Sequence, residues 1–333
     1  MKNYVVIPTY KEAENLKELL PLLKKFNVII VDDNSGDGTD KICKKYKNTR
    51  LIVRKNARGL ASAVFDGIKS ITEKDAKVVI MDADFQHDPA KLPIFFKKLD
   101  TFDFVYGARK NSKMILPRRM MSKIAAIIAK LMINGIKGVD DPMSGYFGFK
   151  LAEVDLGKIK PKGYKIMLDV LINLKNRNRI GKIEYNFGDR KAGSSKMNGT
   201  TVKEFISQII RLNDYRILKF AIVGITGIAV NELFAFLLHP FFQIYIVFSI
   251  SAEISIISNF ILNHEFTFKK RIPICKALPR YNAVALAGLV INVIVATYFS
   301  VYIEYLLANL VGIFMAFLFN YFLSEKFAWK EYA

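Results

Sequence analysis

Four apolar stretches, near residues 217–238, 243–263, 281–303 and 305–324, constrain this chain more than anything else in it. Each is about as long as the roughly 20 residues that a helix needs to cross a bilayer. In lipid every backbone N–H and C=O must find its partner within the protein, so stretches of this kind fold as helices. They are also duplicated. Lys219, Gly227 and Asn231 correspond to Arg280, Gly288 and Asn292, and Asn259-Phe260-Ile261-Leu262-Asn263 corresponds to Asn320-Tyr321-Phe322-Leu323-Ser324. Both sets share one offset, 61 residues. Residues 213–333 are therefore expected to form an all-α domain of four transmembrane helices, two tandem hairpins in one orientation. Arg211, Arg216 and Lys219 flank the first span, and Lys269, Lys270, Arg271, Lys276 and Arg280 fill the second connection. The first and third connections are almost without basic residues. The positive-inside rule then places both termini and the middle loop in the cytoplasm. Asn231, Glu232, Glu253, Asn259, Asn292 and Asn320 lie at membrane depth, where polar groups are functional candidates. Duplication of the asparagines suggests instead that they fasten one hairpin to the other, while Gly224 and Gly227 suit close helix packing.

Residues 1–212 follow a different pattern. Short apolar runs at 4–7, 28–31, 51–53, 78–81 and 104–107 alternate with amphipathic segments. That alternation predicts an α/β domain with a largely parallel sheet. Ligands in such sheets gather at the carboxyl ends of the strands, and each run here ends in polar residues. Asp82 and Asp84 follow the run 78–81 at i, i+2 spacing. On an extended segment they would point the same way, and Gln86 would continue their face. Two carboxylates and an amide suit a hard divalent cation. Asp32 and Asp33 could hold a ribose or base, and Lys55, Arg58 and Arg109 could hold phosphates. Neither GxGxxG nor GxxxxGK[ST] is present, which leaves a sugar nucleotide beside a metal as the reading.

The formal net charge is +20, and hydrophobic residues make up 52% of the chain. Together these point to an anionic membrane or a phosphorylated substrate, and not to nucleic acid. Cys43, Cys275, His87, His239 and His264 show no metal or redox spacing. The amino terminus enters a strand with no signal peptide, so the first domain is expected in the cytoplasm.

Ordered motifs carry a family resemblance. Val5-Val6-Ile7-Pro8-Thr9-Tyr10-Lys11-Glu12-Ala13-Glu14-Asn15-Leu16, Val31-Asp32-Asp33-Asn34-Ser35, Gly59-Leu60-Ala61-Ser62-Ala63 and Met81-Asp82-Ala83-Asp84-Phe85-Gln86-His87 resemble the family 2 glycosyltransferases of the GT-A fold, and within that family the dolichyl-phosphate mannose synthases and their polyprenyl-phosphate relatives. Asp141-Pro142-Met143-Ser144-Gly145-Tyr146-Phe147 and Arg190-Lys191-Ala192-Gly193-Ser194-Ser195-Lys196 resemble two further motifs of that subgroup. The resemblance covers roughly 1–212, and the membrane half resembles the GtrA-like four-helix domain. Lys11 departs from the family's usual Asn and is expected to point to solvent.

The resemblance implies a GT-A catalytic domain, Rossmann-like and mostly parallel. It implies inverting transfer of a hexose to dolichyl or polyprenyl monophosphate, with mannose from GDP-mannose favoured and UDP-glucose the competing donor. It assigns Asp82, Asp84 and Gln86 to Mg²⁺ or Mn²⁺. Pro8, Tyr10, Glu12, Val31, Asp33, Lys55, Arg58, Asp82, Ala83, Arg109, Arg190 and Lys196 would bind the nucleotide sugar. Arg109, Arg118 and Ser122 would receive the acceptor phosphate, and Asp84, Arg109, Arg118 and Arg190 form the catalytic set. A monoester phosphate with a second pKa near ~6 is already ionised at neutral pH, so no general base is required. A reading from another class stays open: a lipid-sugar flippase or scaffold with a non-catalytic soluble domain.

Two amphipathic helices, about 117–134 and 200–212, support a lipid acceptor. The first places Met120, Met121, Ile124, Ile127, Ile128, Leu131 and Met132 on one face, and the second Val202, Phe205, Ile206, Ile209 and Ile210. Both are too short to span a bilayer, and both read as lying in its interface.

Overall fold

The structure, a computed structural model, describes residues 1–110, 116–136, 138–163, 165–188, 199–269 and 272–330. The side chains of 116–119, 199 and 200 are outside that description. The chain forms two compact units, Met1–Leu212 and Asn213–Ala333.

The first unit is built on a seven-stranded sheet. Its strands are β1 (Lys2–Thr9), β2 (Asn27–Asp32), β3 (Thr49–Val53), β4 (Ala76–Ile80), β5 (Phe104–Lys110), β6 (Phe147–Lys150) and β7 (Ile180–Asn186), ordered β3-β2-β1-β4-β6-β5-β7. The pairs among β1–β4 are parallel, as is β5 with β7, while β6 runs antiparallel between β4 and β5. β4 is buried throughout, which is why residues 78–80 within it read as an apolar run. Helices α1 (Ala13–Leu19), α2 (Thr39–Cys43), α3 (Leu60–Lys69) and α4 (Leu92–Thr101) follow β1, β2, β3 and β4 in turn. Leu16, Leu19, Ile42, Phe95 and Leu99 join Val5, Ile7, Val79 and Val105 in one core. Two strands exceed the five expected. β6 is only four residues long and contains Gly148, and β7 is a half-buried edge strand with strict alternation.

The apolar run 78–81 does not continue as a strand through the carboxylates. β4 stops at Ile80 where its pairing with Phe147 ends, and the chain then bends back on itself, with Phe85 at φ +65°. The expected i, i+2 alternation is replaced by a compact loop.

Helices α5 (Leu116–Met132), α6 (Ile166–Ile172) and α7 (Gly199–Leu212) complete this unit. Along α5, Met120, Met121, Ile124, Ile127 and Ile128 are exposed, while Ala129 and Met132 are buried. The face of α7 is divided differently from expectation. Phe205 and Ile209 turn inward with Gln208, and only Val202 and Ile206 stay exposed. Gln208 fixes that rotation by bonding both the N–H and the carbonyl of Lys165.

The second unit contains α8 (Arg216–Leu238), α9 (Ile244–Leu262), α10 (Ile274–Phe299) and α11 (Tyr305–Leu323). All four are long and apolar enough to cross a membrane. A π-helical turn extends α9 over Asn263–Phe268 and α11 over Ser324–Ala328, again 61 residues apart. The aromatic contacts obey an internal two-fold. Phe268 stacks on its equivalent Trp329 at 4.4 Å. Phe260 stacks on Trp329 at 5.7 Å and its equivalent Tyr321 on Phe268 at 6.2 Å. Lys219 lies over Phe266 at 5.7 Å, as Arg280 lies over Phe327 at 5.9 Å.

The duplicated asparagines do not join the hairpins. The Asn259 amide fills the space over Gly227 inside the first hairpin, and Asn320 does the same over Gly288 inside the second. Only glycine leaves room for an amide at that helix crossing. Asn292 likewise packs over Gly312, within the second hairpin. The hairpins are tied instead by Asn282 donating to Glu253 (3.1 Å), Trp329 Nε1 donating to His264 Nδ1 (3.1 Å) and an Arg216–Glu325 ion pair (2.6 Å).

Candidate active site

Because β6 runs against its neighbours, its amino end shares a sheet edge with the carboxyl ends of β1, β2, β4, β5 and β7. Among the described residues, most of the expected site residues come from the strand ends and loops at that edge, and Ser122 from α5.

One corner is formed by the loops after β1, β2 and β3. Pro8 and Val31 are buried within paired strands, so they reach a ligand only with their backbone and strand-end edges. Tyr10 is half-buried, and the Arg58 guanidinium lies over its ring at 4.8 Å. Lys11 sits at φ +60°, its N–H bonded to Ser35 Oγ at 2.8 Å. A left-handed position is one that Asn tolerates and Lys does not favour. Glu12 accepts a bond from Asn15 Nδ2 at the start of α1. Asp37 accepts from the N–H of Ala13 and from both the N–H and hydroxyl of Thr39. Burial alone would raise its pKa, but these bonds hold it below the usual carboxylate range.

Asp33 is turned into the fold. Its Oδ1 accepts from Arg54 Nε at 2.7 Å and its Oδ2 from the N–H of Gly59 at 2.9 Å. Arg54 also reaches Ser62, Asp66 and the Gly59 carbonyl, and only 4% of its side chain is exposed. It thereby clamps the end of β2 to the start of α3. Lys55 is exposed beside it.

The second corner is the loop 82–88. Asp82 is about a third exposed, Asp84 and Ala83 are buried, and Gln86 is half-buried. Asp84 Oδ1 accepts the Gln86 N–H at 3.1 Å. His87 is the pillar under this loop. Its Nδ1 accepts the N–H of Asp82 at 2.9 Å, and its ring stacks on Tyr146 at 4.9 Å. Burial pushes the imidazole down to about 3. An Nδ1 that accepts an N–H carries no proton, so the 3.7 Å approach to Asp82 Oδ2 is not an ion pair. Just beyond β7, Gly188 donates to the Gln86 carbonyl at 3.3 Å, and a Cβ at Gly188 would come within 2.8 Å of the Phe85 carbonyl oxygen.

The third corner joins β5 to the 141–147 motif. Arg109 donates Nε to Asp141 Oδ2 at 2.6 Å and Nη2 to Asp141 Oδ1 at 2.8 Å, a forked pair about 15% exposed on each side. Its Nη2 also reaches Ser122 Oγ on α5 at 3.2 Å, and its guanidinium lies over Phe187 at 5.7 Å. The Arg118 side chain and all of Arg190 and Lys196 lie outside the described residues.

Comparison with known proteins resolves the class. Residues 4–150 match glycosyl transferase family 2, and residues 219–329 match the GtrA/DPMS transmembrane domain. A dolichol-phosphate mannosyltransferase of Pyrococcus furiosus is 34% identical, over 99% of both chains. The chain belongs to glycosyltransferase family 2. It is also 34% identical to the dolichol-phosphate mannosyltransferase of Saccharomyces cerevisiae, over 62% of this chain and 85% of that one. An undecaprenyl-phosphate mannosyltransferase of Micrococcus luteus is 30% identical, over 63% of this chain and 93% of its own length. Among solved structures, glucosyl-3-phosphoglycerate synthase from Mycobacterium tuberculosis, crystallised with Mn²⁺ and UDP-glucose, matches with a TM-score of 0.50 and 15% identity, over 64% of this chain and 80% of that one. That likeness concerns the fold. This transferase is thus a membrane protein with an α/β catalytic unit and an attached four-helix domain.

Among the described residues no three His, Cys, Asp or Glu side chains form a cluster placed to hold a metal ion. Asp82 and Asp84 with the Gln86 amide supply hard oxygen donors, a donor chemistry that suits a divalent cation. Four further residues touch the expected site residues: Arg54 bonds Asp33, His87 bonds Asp82, Asp141 bonds Arg109 and Gly188 bonds Gln86. Asp141 stands in a quoted motif, but its partner Arg109 is distant in sequence, as Arg54 is from Asp33.

Proposed function

We propose that this chain transfers mannose from GDP-mannose to a polyprenyl monophosphate such as dolichyl phosphate, with inversion, at the cytoplasmic face of the membrane. The observation that carries the lipid acceptor is α5. One helix presents Met120, Met121, Ile124, Ile127 and Ile128 outward and also places Ser122 Oγ on Arg109 of the site. A helix with an uncovered apolar face belongs in the bilayer interface, so an acceptor phosphate entering along it meets the arginine at the sheet edge. The family membership and the mannosyltransferase relatives support the sugar.

In the reaction an acceptor phosphate oxygen attacks the anomeric carbon. The new C1–O bond forms as the C1–O bond to the diphosphate breaks, and GDP leaves with the electron pair. The acceptor is a dianion or monoanion near neutral pH, so no side chain need take a proton from it. Asp141 orients the Arg109 guanidinium for the phosphate, and His87 and Gly188 hold the 82–86 loop. Mg²⁺ or Mn²⁺ held by Asp82, Asp84 and Gln86 would offset the charge that develops on the leaving diphosphate.

The test is incubation of the purified full chain with labelled nucleotide sugars, dolichyl phosphate and Mn²⁺. Mannolipid formation from GDP-mannose is expected, with loss of turnover in Asp84→Ala and after chelation. Transfer from UDP-glucose alone would overturn the donor, and no glycolipid with any common donor would overturn the enzyme reading. Normal activity in Asp84→Ala would remove the metal set.

A further inference from the structure

The segment between Asp155 and Lys165 runs under α7 as a strap. It is pinned from both sides: Ile159 is buried, Arg211 Nη2 donates to the Lys162 carbonyl at 2.9 Å, and Gln208 brackets Lys165. At Gly163 a Cβ would collide with the Gln208 side chain at 2.7 Å, so the backbone lies directly on the helix. Between these anchors Lys158, Lys160 and Lys162 point to solvent, with Pro161 half-buried among them. The acidic residue beside them, Asp155, pairs with Lys158 at 3.0 Å, which leaves Lys160 and Lys162 as the freer charges of the strap. Among the described residues no other side-chain contact engages Lys160 or Lys162, and they lie on neither the sheet edge nor the apolar face of α5.

Their place along the chain decides what they meet. Arg211, which holds the Lys162 carbonyl, is five residues before Arg216, the first residue of the first membrane span. Five residues reach at most about 17 Å even when fully extended, and Arg211 and Leu212 are helical, so the true span is shorter. A bilayer carries roughly 5–7 Å of headgroup region outside each hydrocarbon face. Screening at physiological salt acts over about 8 Å, so this covalent tether is comparable in length with the headgroup layer plus one screening length. We propose that the strap Lys158-Lys160-Lys162 is a binding surface for anionic phospholipid headgroups, which gather beneath it at the root of the first membrane helix. The proposal rests on the membrane domain and is independent of the donor.

A basic side chain near an anionic surface contributes about 1 kcal/mol, so each free lysine enriches anionic lipid about 5-fold and Lys160 with Lys162 about 25-fold. The full chain, with a photo-crosslinking amino acid replacing the exposed Gly157, is placed in phosphatidylcholine nanodiscs holding about 30 mol % phosphatidylglycerol and about 1 mol % polyprenyl phosphate. After illumination the attached lipid is identified by mass spectrometry. Phosphatidylglycerol adducts are expected to outnumber phosphatidylcholine adducts about tenfold, well above its mole fraction. They should fall to that fraction in about 0.5 M salt and in a Lys158→Gln/Lys160→Gln/Lys162→Gln variant whose mannosyl transfer in detergent is unchanged. Adducts in proportion to mole fraction, or equal in the glutamine variant, would overturn the proposal. Adducts with polyprenyl phosphate alone would assign the strap to the acceptor instead. Loss of transfer in both chains would bear on the proposed reaction and leave the lipid readout intact.

Discussion

Replacing Arg54 by Met should destabilise the catalytic unit more than any exposed substitution, because it strands a buried carboxylate. Asp33 is 10% exposed at its side chain and receives Arg54 at 2.6–2.7 Å, and without it only the Gly59 N–H remains. Removing one partner of a buried ion pair costs about 3–5 kcal/mol. The Asp66 contact adds little, since that carboxylate is half exposed. For a unit of this size each kcal/mol moves the midpoint by about 2–4 °C, so the fall should be about 6–20 °C. Cys43 supplies the readout. It is 2% exposed on α2, and burial pushes its thiol up to about 11, so the native form resists alkylation. In a Cys275→Ser background of the full chain, a fluorogenic maleimide followed on heating reports unfolding of the catalytic unit alone. Adding Asp33→Asn to Arg54→Met removes the stranded charge and keeps an oxygen for Gly59, so most of the loss should return. A shift below about 2 °C in the single variant, or additive losses in the double, would refute the reasoning.

Other expectations follow from single close contacts. Lys11→Asn relieves a left-handed backbone position and should raise stability by about 0.5–1 kcal/mol, seen as a higher midpoint in the same thiol assay; an unchanged midpoint would count against strain at φ +60°. Gly227→Ala and Gly288→Ala each place a methyl where an asparagine amide sits and should cost about 1–3 kcal/mol. The check is the temperature at which the detergent-solubilised chain loses its monodisperse elution peak, with Gly227→Ala/Asn259→Ala recovering most of the loss. Gly188→Ala pushes on the Phe85 carbonyl under the carboxylate loop. It should raise the Mn²⁺ concentration for half-maximal transfer about tenfold, or about 1.4 kcal/mol, while the midpoint for the catalytic unit changes little. Equal metal dependence in wild type and variant would show that the loop is not held from the segment after β7.

What the sequence disclosed and what it hid divide along a physical line. Buried parallel strands are apolar on both faces, so β1, β2 and β4 announce themselves and so do the polar residues at their ends. The four spans announce themselves by length. Which polar group answers which is a different question, because partners are set by tertiary approach. Arg109 and Asp141 are 32 residues apart, and Asp33 and Arg54 are 21 apart. Nothing in spacing distinguishes a phosphate-binding arginine from one already forked onto a carboxylate. The carboxylate loop shows the same limit. Alternation along a strand predicted one shared face for Asp82, Asp84 and Gln86, but His87 reaches back to the Asp82 N–H and Gly188 pins Gln86 from the segment after β7. The loop's shape therefore comes from residues outside the motif.

The membrane half makes the argument most sharply. An offset of 61 says that Asn259 and Asn320 are equivalent, and equivalence is satisfied both by asparagines that join two hairpins and by asparagines that each seal their own. The glycines at the same offset, Gly227 and Gly288, settle the matter, since each asparagine sits over the glycine of its own hairpin. What lies on the two-fold must then pair with its own image, and Phe268 stacked on Trp329 does so. Where the repeats differ, the symmetry is broken by polar ties. Arg216 reaches Glu325, whereas the equivalent positions are Ala277 and His264, and His264 takes Trp329 Nε1 instead. The Arg216–Glu325 pair and the Tyr321 bond to Asn213 pin the first residues of the membrane unit to the second hairpin, and so distinguish two repeats that the apolar pattern leaves alike.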